Sequence, residues 1–159
     1  MIVKQSDLFK GMDPELIKQI MDLTKWKHYE RNEVVFERGE AARNAFLLIT
    51  GTVRLNIDQG RHVVYTVNNG GELFGWSALM GRDEYSATAT CIEETKLASL
   101  DIEGLRAVLE RDPWAGMTFY RRIAKLMGER LITSYEVISN LIGGEKKRSR
   151  TREAQASTA

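Results

Sequence analysis

The spacing of apolar residues changes twice along the chain, from a helical period to an alternating one and back. Leu16, Ile17, Ile20, Met21 and Leu23 fall at helical spacing behind Asp13-Pro14, which predicts a short helix with a carboxylate cap and proline at its first position. From Trp26 to Leu100 the signal is one of short strands between turn residues: Val34 to Phe36, Ala45 to Ile49, Val53 to Ile57, Val63 to Val67, Ala87 to Ile92 and Lys96 to Leu100. Val53, Leu55 and Ile57 alternate with Arg54, Asn56 and Asp58, so that strand has one wet face. Asp58-Gln59-Gly60 and Asn68-Asn69-Gly70 supply reversals. Strands of this length and spacing predict a two-sheet sandwich, jelly roll or barrel.

After Leu100 the period is helical again. Asp101 caps a helix through about Arg111, and Pro113 opens a longer one, 113–142, that Gly143-Gly144 is expected to stop. Met117, Tyr120, Ala124, Met127, Leu131, Ser134, Ile138 and Leu141 fall on alternating three- and four-residue steps, as in a two-helix seam. Packing on its own β-domain is the simpler use of such a helix, but its length favours a homodimer.

Composition narrows this to one domain with appendages. The 159 residues are 43% hydrophobic and 28% charged, the range of a soluble globular protein. The N-terminus carries only a short apolar patch and the chain has no long apolar run, so a cytoplasmic protein without membrane association is expected. Cys91 is the single cysteine, which excludes an internal disulfide and a thiolate metal cluster; it reads as a small hydrophobe in a strand. The net charge of +1 hides an asymmetry: residues 143–159 carry +3, leaving −2 on the body. That tail has no apolar residue larger than alanine and is expected to be disordered, either a nucleic-acid-contacting arm or a solvated end.

Candidate chemistry gathers in Gly70 to Cys91, GGELFGWSALMGRDEYSATATC. Gly70, Gly71 and Gly75 permit close ligand approach, and Trp76 to Met80 predict one helical turn whose first N–H groups face a small anion. Enzymatic readings find little support: His28 and His62 lack companions, and neither a nucleophile elbow nor a P-loop is present. No metal or cofactor is expected beyond a small ligand.

Taken in order, DLFKGMDPE, EVVFERGE around Gly39, FLLITGTVRL around Gly51, GGELFGWSAL, SATATC and the closing long helix resemble the cyclic-nucleotide-binding domain family, the sensory half of catabolite-activator and fumarate-nitrate-regulator type proteins. The resemblance covers most of residues 6–142. It implies a mainly β fold with flanking helices, an antiparallel β-roll or jelly roll of eight strands, with a phosphate-binding cassette at the glycine-rich segment. It also implies a ligand-binding set of Gly71, Glu72, Leu73, Gly75, Arg82, Tyr85, Ser86 and Ala87, with Thr133 and Ser134 as base contacts from the long helix. Glu72 takes the place of the ribose contact. Tyr85 stands before the small pair Ser86-Ala87, where the family has a phosphate-binding Arg, and Arg82 is the alternative cation. Trp76 reads as core filling. The family's DNA-binding helix-turn-helix has no counterpart after Ile142, so sequence-specific DNA binding is not expected. Two functions follow from the resemblance: a cAMP- or cGMP-type sensor signalling through a dimer helix, or a nucleotide-independent scaffold that keeps the roll.

Overall fold

The computed structural model describes residues 6–57 and 63–156. Helix α1 (Pro14–Asp22) begins as expected: Asp13 Oδ1 accepts from the amides of Glu15 at 2.9 Å and Leu16 at 3.4 Å, and Pro14 occupies the first turn. Leu16, Ile17 and Ile20 form its buried face.

Eight strands follow among the described residues: β1 (Thr24–Tyr29), β2 (Val34–Phe36), β3 (Asn44–Thr50), β4 (Val53–Asn56), β5 (Val63–Val67), β6 (Leu73–Phe74), β7 (Thr88–Cys91) and β8 (Thr95–Asp101). They form two four-stranded antiparallel sheets, ordered β1-β8-β3-β6 and β2-β7-β4-β5. This is the expected jelly roll. Strand β1 was not resolved by periodicity because it is a polar edge: Lys25, Lys27 and His28 are exposed, and it pairs only with β8. Strand β6 has two residues, too few to show alternation. The reversal expected at Asp58-Gln59-Gly60 and the reading of His62 lie outside the described residues.

The core between the sheets is built from Phe36, Phe46, Leu48, Val53, Phe74 and Leu97, with Cys91 buried among them as read from the sequence. Alternation sends Ala45, Leu47, Ala98 and Leu100 to the other face of the first sheet. Each is at most 1% exposed, so that face is covered as well. Gly51 is obligatory at the β3–β4 corner: its φ is +100°, and a Cβ would come within 2.6 Å of the Glu94 carbonyl oxygen.

Asp101 caps α2 (Ile102–Arg111) through a 2.8 Å bond from the Gly104 amide, as expected. Helix α3 (Pro113–Ala156) runs on past Gly143-Gly144, where a stop and a disordered tail were expected. Glycine costs a helix about 1 kcal/mol without forbidding it, and the following Glu145, Lys146, Lys147 and Arg148 are good helix formers. The chain divides into two compact units, Met1–Phe119 and Tyr120–Ala159.

Candidate functional site

The glycine-rich segment hangs from the first sheet by β6, whose Leu73 and Phe74 pair with Leu47 and Phe46 of β3. Leu73 is thereby a buried strand residue rather than a surface one. Immediately after it, Gly75 (φ +68°) and Gly81 (φ +73°) bracket a 3₁₀ turn, Trp76–Met80. A Cβ on Gly75 would lie 3.0 Å from the rings of both Phe36 and Phe46, so this glycine is needed for conformation and for space. The turn closes on itself: Gly81 N–H donates to the Ala78 carbonyl at 3.2 Å and Arg82 N–H to the Ser77 carbonyl at 3.1 Å. Trp76 is half-buried.

Gly71 takes φ +83°, its amide donates to the Leu48 carbonyl at 2.7 Å, and its own carbonyl accepts from Ser6 Oγ at 2.9 Å. Beside it the Glu72 carboxylate is held by protein donors. Oε1 accepts from the Tyr65 hydroxyl at 2.7 Å, and Oε2 from the Asn69 amide at 3.3 Å and Asn69 Nδ2 at 3.4 Å. In this structure Glu72 ties the Asn68-Asn69 reversal to β5.

Tyr85 corrects the sequence reading most sharply. Its side chain is 4% exposed and its ring stacks on Phe36 with centroids 3.9 Å apart. Its hydroxyl donates to the Asn44 carbonyl at 2.8 Å and accepts from the Asn44 amide at 3.2 Å. Burial pushes the phenol pKa up, with the Asn44 backbone bonds opposing and the Glu40 carboxylate adding to the rise. A side chain so placed serves the aromatic core of Phe36, Phe46 and Phe74 and is not presented to an anion. Ser86 is exposed and Ala87 half-buried, together leading into β7.

Arg82 is exposed and faces a groove of about 960 Å3 between the end of the 3₁₀ turn and α2. The lining includes Arg43, Arg82 and Arg106 together with Asp83, Glu103 and Glu110, but none of Gly71, Glu72, Gly75, Tyr85, Ser86 or Ala87. Of the expected ligand residues, Arg82 is the one that lines this groove. Arg43 and Arg106 were missed, because only the fold brings the β2–β3 loop and α2 to the turn. Thr133 and Ser134 belong to the helical unit, and each hydroxyl donates to a carbonyl four residues back, Glu129 at 3.1 Å and Arg130 at 2.9 Å.

Among the described residues no cluster of His, Cys, Asp and Glu could hold a metal ion, and no helix is long and apolar enough to cross a membrane.

Two antiparallel four-stranded sheets with a glycine-bracketed turn after the sixth strand, followed in the chain by helices, define the class of antiparallel β-roll domains. The comparisons with known proteins fix the family. A profile described as cyclic nucleotide-binding domain matches residues 26–112, and the chain belongs to that family. A protein of Rhodopseudomonas palustris named as a potassium channel protein is 35% identical over 115 residues, 70% of this chain and 27% of that protein. The cyclic AMP receptor protein of Thermus thermophilus is 28% identical over 150 residues, 93% of this chain and 67% of that one. The chain therefore spans between about a quarter and two thirds of these relatives' lengths. Among solved structures, a cyclic nucleotide-binding domain from Methylobacillus flagellatus superposes with a TM-score of 0.71 at 20% identity, covering 85% of this chain and 77% of that one, which supports the fold.

Proposed function

We propose that this chain is a small-ligand-binding regulatory domain of the cyclic-nucleotide-sensing kind, acting in the cytoplasm and signalling through α3 across a homodimer. The observation that carries the reading is the turn Trp76–Met80, bracketed by two left-handed glycines and hung from β6 inside a roll of the cyclic nucleotide-binding family. An anionic ligand would meet this turn at its N-terminal end, the end toward which helical N–H groups point. On this reading Gly71, Glu72, Leu73, Gly75, Ser86 and Ala87 shape the site, Arg82 supplies positive charge, and Thr133 and Ser134 are the base contacts. Signal passes because ligand binding differs between two arrangements of the helix.

Calorimetric titration with cAMP and cGMP tests this. Micromolar binding that weakens at least tenfold in Arg82→Ala is the expected result, since a guanidinium contributes charged donors to a phosphate. Titrations with no heat for either nucleotide would sink the sensor reading. Tyr85 favours a second reading, in which the roll works without nucleotide: a phenol committed to Asn44 replaces the forked cation the family uses for phosphate. Tyr85→Arg separates the two. Binding gained only in that variant would assign the natural chain to the nucleotide-independent class.

A further inference from the structure

Helix α3 does not end with its apolar stripe. Its backbone stays helical to Ala156, and residues 145–153 carry Lys146, Lys147, Arg148, Arg150 and Arg152 against Glu145 and Glu153. A helix rises about 1.5 Å per residue, so these five cations occupy roughly 9 Å of axis, close to one positive charge per ~2 Å. Duplex nucleic acid carries one phosphate charge per about 1.7 Å of its own axis. The two linear charge densities match.

The seam register changes character at the same place. Its three- and four-residue steps through Leu131, Ser134, Ile138 and Leu141 run on to Glu145, Arg148, Arg152 and Gln155. Largely apolar positions that two copies could bury together give way to positions whose charges would face each other. Guanidiniums pressed together across a dry seam repel and lose their water, so a dimer zipped through Leu141 parts beyond it. Gly143 and Gly144 stand at the parting point, where a helix without side chains bends most easily. On each helix Lys146 and Arg150, and Arg148 and Arg152, are four residues apart, so like charges crowd along it and a polyanion relieves them.

The composition of the segment distinguishes between polyanions. Residues 143–156 include no apolar residue larger than alanine. A helix that lies in a membrane surface needs an apolar face to bury among acyl chains, and this one has none. A duplex asks only for charge and shape, and its major groove admits one α-helix. Basic helices that part from a two-helix seam into the groove on either side are a known way of docking on a duplex.

We propose that residues 145–153 of two α3 helices form a basic fork that grips double-stranded nucleic acid through its phosphates, without reading its sequence. The fork rests on the homodimer of the proposed function and is independent of cAMP or cGMP. Phosphate contacts carry no base information, so charge and salt set the affinity.

Fluorescence anisotropy of a labelled duplex of about 20 base pairs, titrated with the full chain, tests it, with light scattering on the same samples. About micromolar binding is expected near 50 mM salt, weakening several hundredfold by about 150 mM, as roughly six phosphate contacts require. Two duplexes of unrelated sequence are expected to bind within about twofold of each other. Neutralising the segment with Lys146→Gln, Lys147→Gln, Arg148→Gln, Arg150→Gln and Arg152→Gln keeps helix-forming residues and is expected to leave a dimer that binds at least a hundredfold more weakly. The monomeric variant Leu131→Glu with Tyr135→Glu keeps all five cations and is expected to lose at least tenfold, because one arm grips instead of two. A wild-type dimer that leaves the duplex free near 50 mM salt overturns the proposal, as does unchanged binding by the glutamine variant. Equal binding by the monomeric variant overturns the fork. Tighter binding to phosphatidylglycerol vesicles than to the duplex overturns the choice of nucleic acid. A wild-type monomer by light scattering, read without any duplex, refutes the homodimer itself and the fork with it.

Discussion

Gly75 and Tyr85 show how much of the site rests on single side chains. Gly75→Ala forces a Cβ into φ +68° and to 3.0 Å from two phenyl rings. A loss of about 1–3 kcal/mol in urea unfolding is expected, the cost of strain at a left-handed position with little room to relax. Tyr85→Phe removes a donor to the Asn44 carbonyl and an acceptor for its amide. It is expected to cost about 1–2 kcal/mol near neutral pH, because the part-buried Asn44 amide and carbonyl at the strand end lose a partner. The same variant carries a pH signature. Burial raises the folded phenol pKa above its unfolded value, so Tyr85 contributes stability that is complete below about pH 10 and lost as the pH climbs through the folded value. Urea titrations from about pH 8 to 11 are expected to show a smaller alkaline decline in Tyr85→Phe than in wild type. An identical decline in both would show that other groups govern it. At this scale the sequence was half legible: Gly75 and the turn Trp76–Met80 follow from residue types, whereas GRDEYSA does not reveal that the tyrosine turns inward while Arg82 turns out. That choice depends on Phe36, nearly fifty residues earlier in the chain, offering a ring to stack on.

Among the elements, α3 carries an exposed apolar stripe that the proposed homodimer would cover. Met117, Tyr120, Leu131, Tyr135 and Ile138 are each at least 40% exposed and fall on three- and four-residue steps or their sums. Ser134, read from the sequence as a seam position, bonds through its hydroxyl to its own helix, and Tyr135 beside it is exposed. Light scattering is expected to give a dimer for the wild type and a monomer for Leu131→Glu with Tyr135→Glu, because carboxylates in a dry seam lack partners. A wild-type monomer at high concentration would refute the seam. Strand and helix existence was legible from period alone for α1, β2 to β5, β7, β8 and α2. The polar edge β1, the two-residue β6 and the true length of α3 were not, since short or charged segments carry little periodicity and two glycines do not oblige a helix to end.

For the molecule as a whole, Cys91 is a reporter of cooperativity. It is fully buried in the core between the sheets, β7 is paired on both sides, and burial pushes its thiol pKa up. Its reaction with a disulfide reagent is therefore expected to be slow in the native protein and to track the global unfolding free energy as urea is added, since exposure requires the sheets to part. Fast native labelling would show that the second sheet opens separately. The sequence alone determined the order of most elements, the eight-stranded roll implied by its glycine-marked motifs, the burial of Cys91 and the helical turn Trp76–Met80 after Gly75. These depend on local backbone preference and on apolar period, which neighbouring residues settle among themselves. Tertiary structure alone decided that Tyr85 fills the core, that Glu72 is held by Tyr65 and Asn69, and that Arg43, Arg82 and Arg106 share one groove. Tyr85 and the shared groove turn on partners distant in sequence, which only the folded chain brings within the few ångströms at which stacking and hydrogen bonding act; the partners of Glu72 lie three and seven residues back, and the Asn68-Asn69 reversal turns them to its carboxylate.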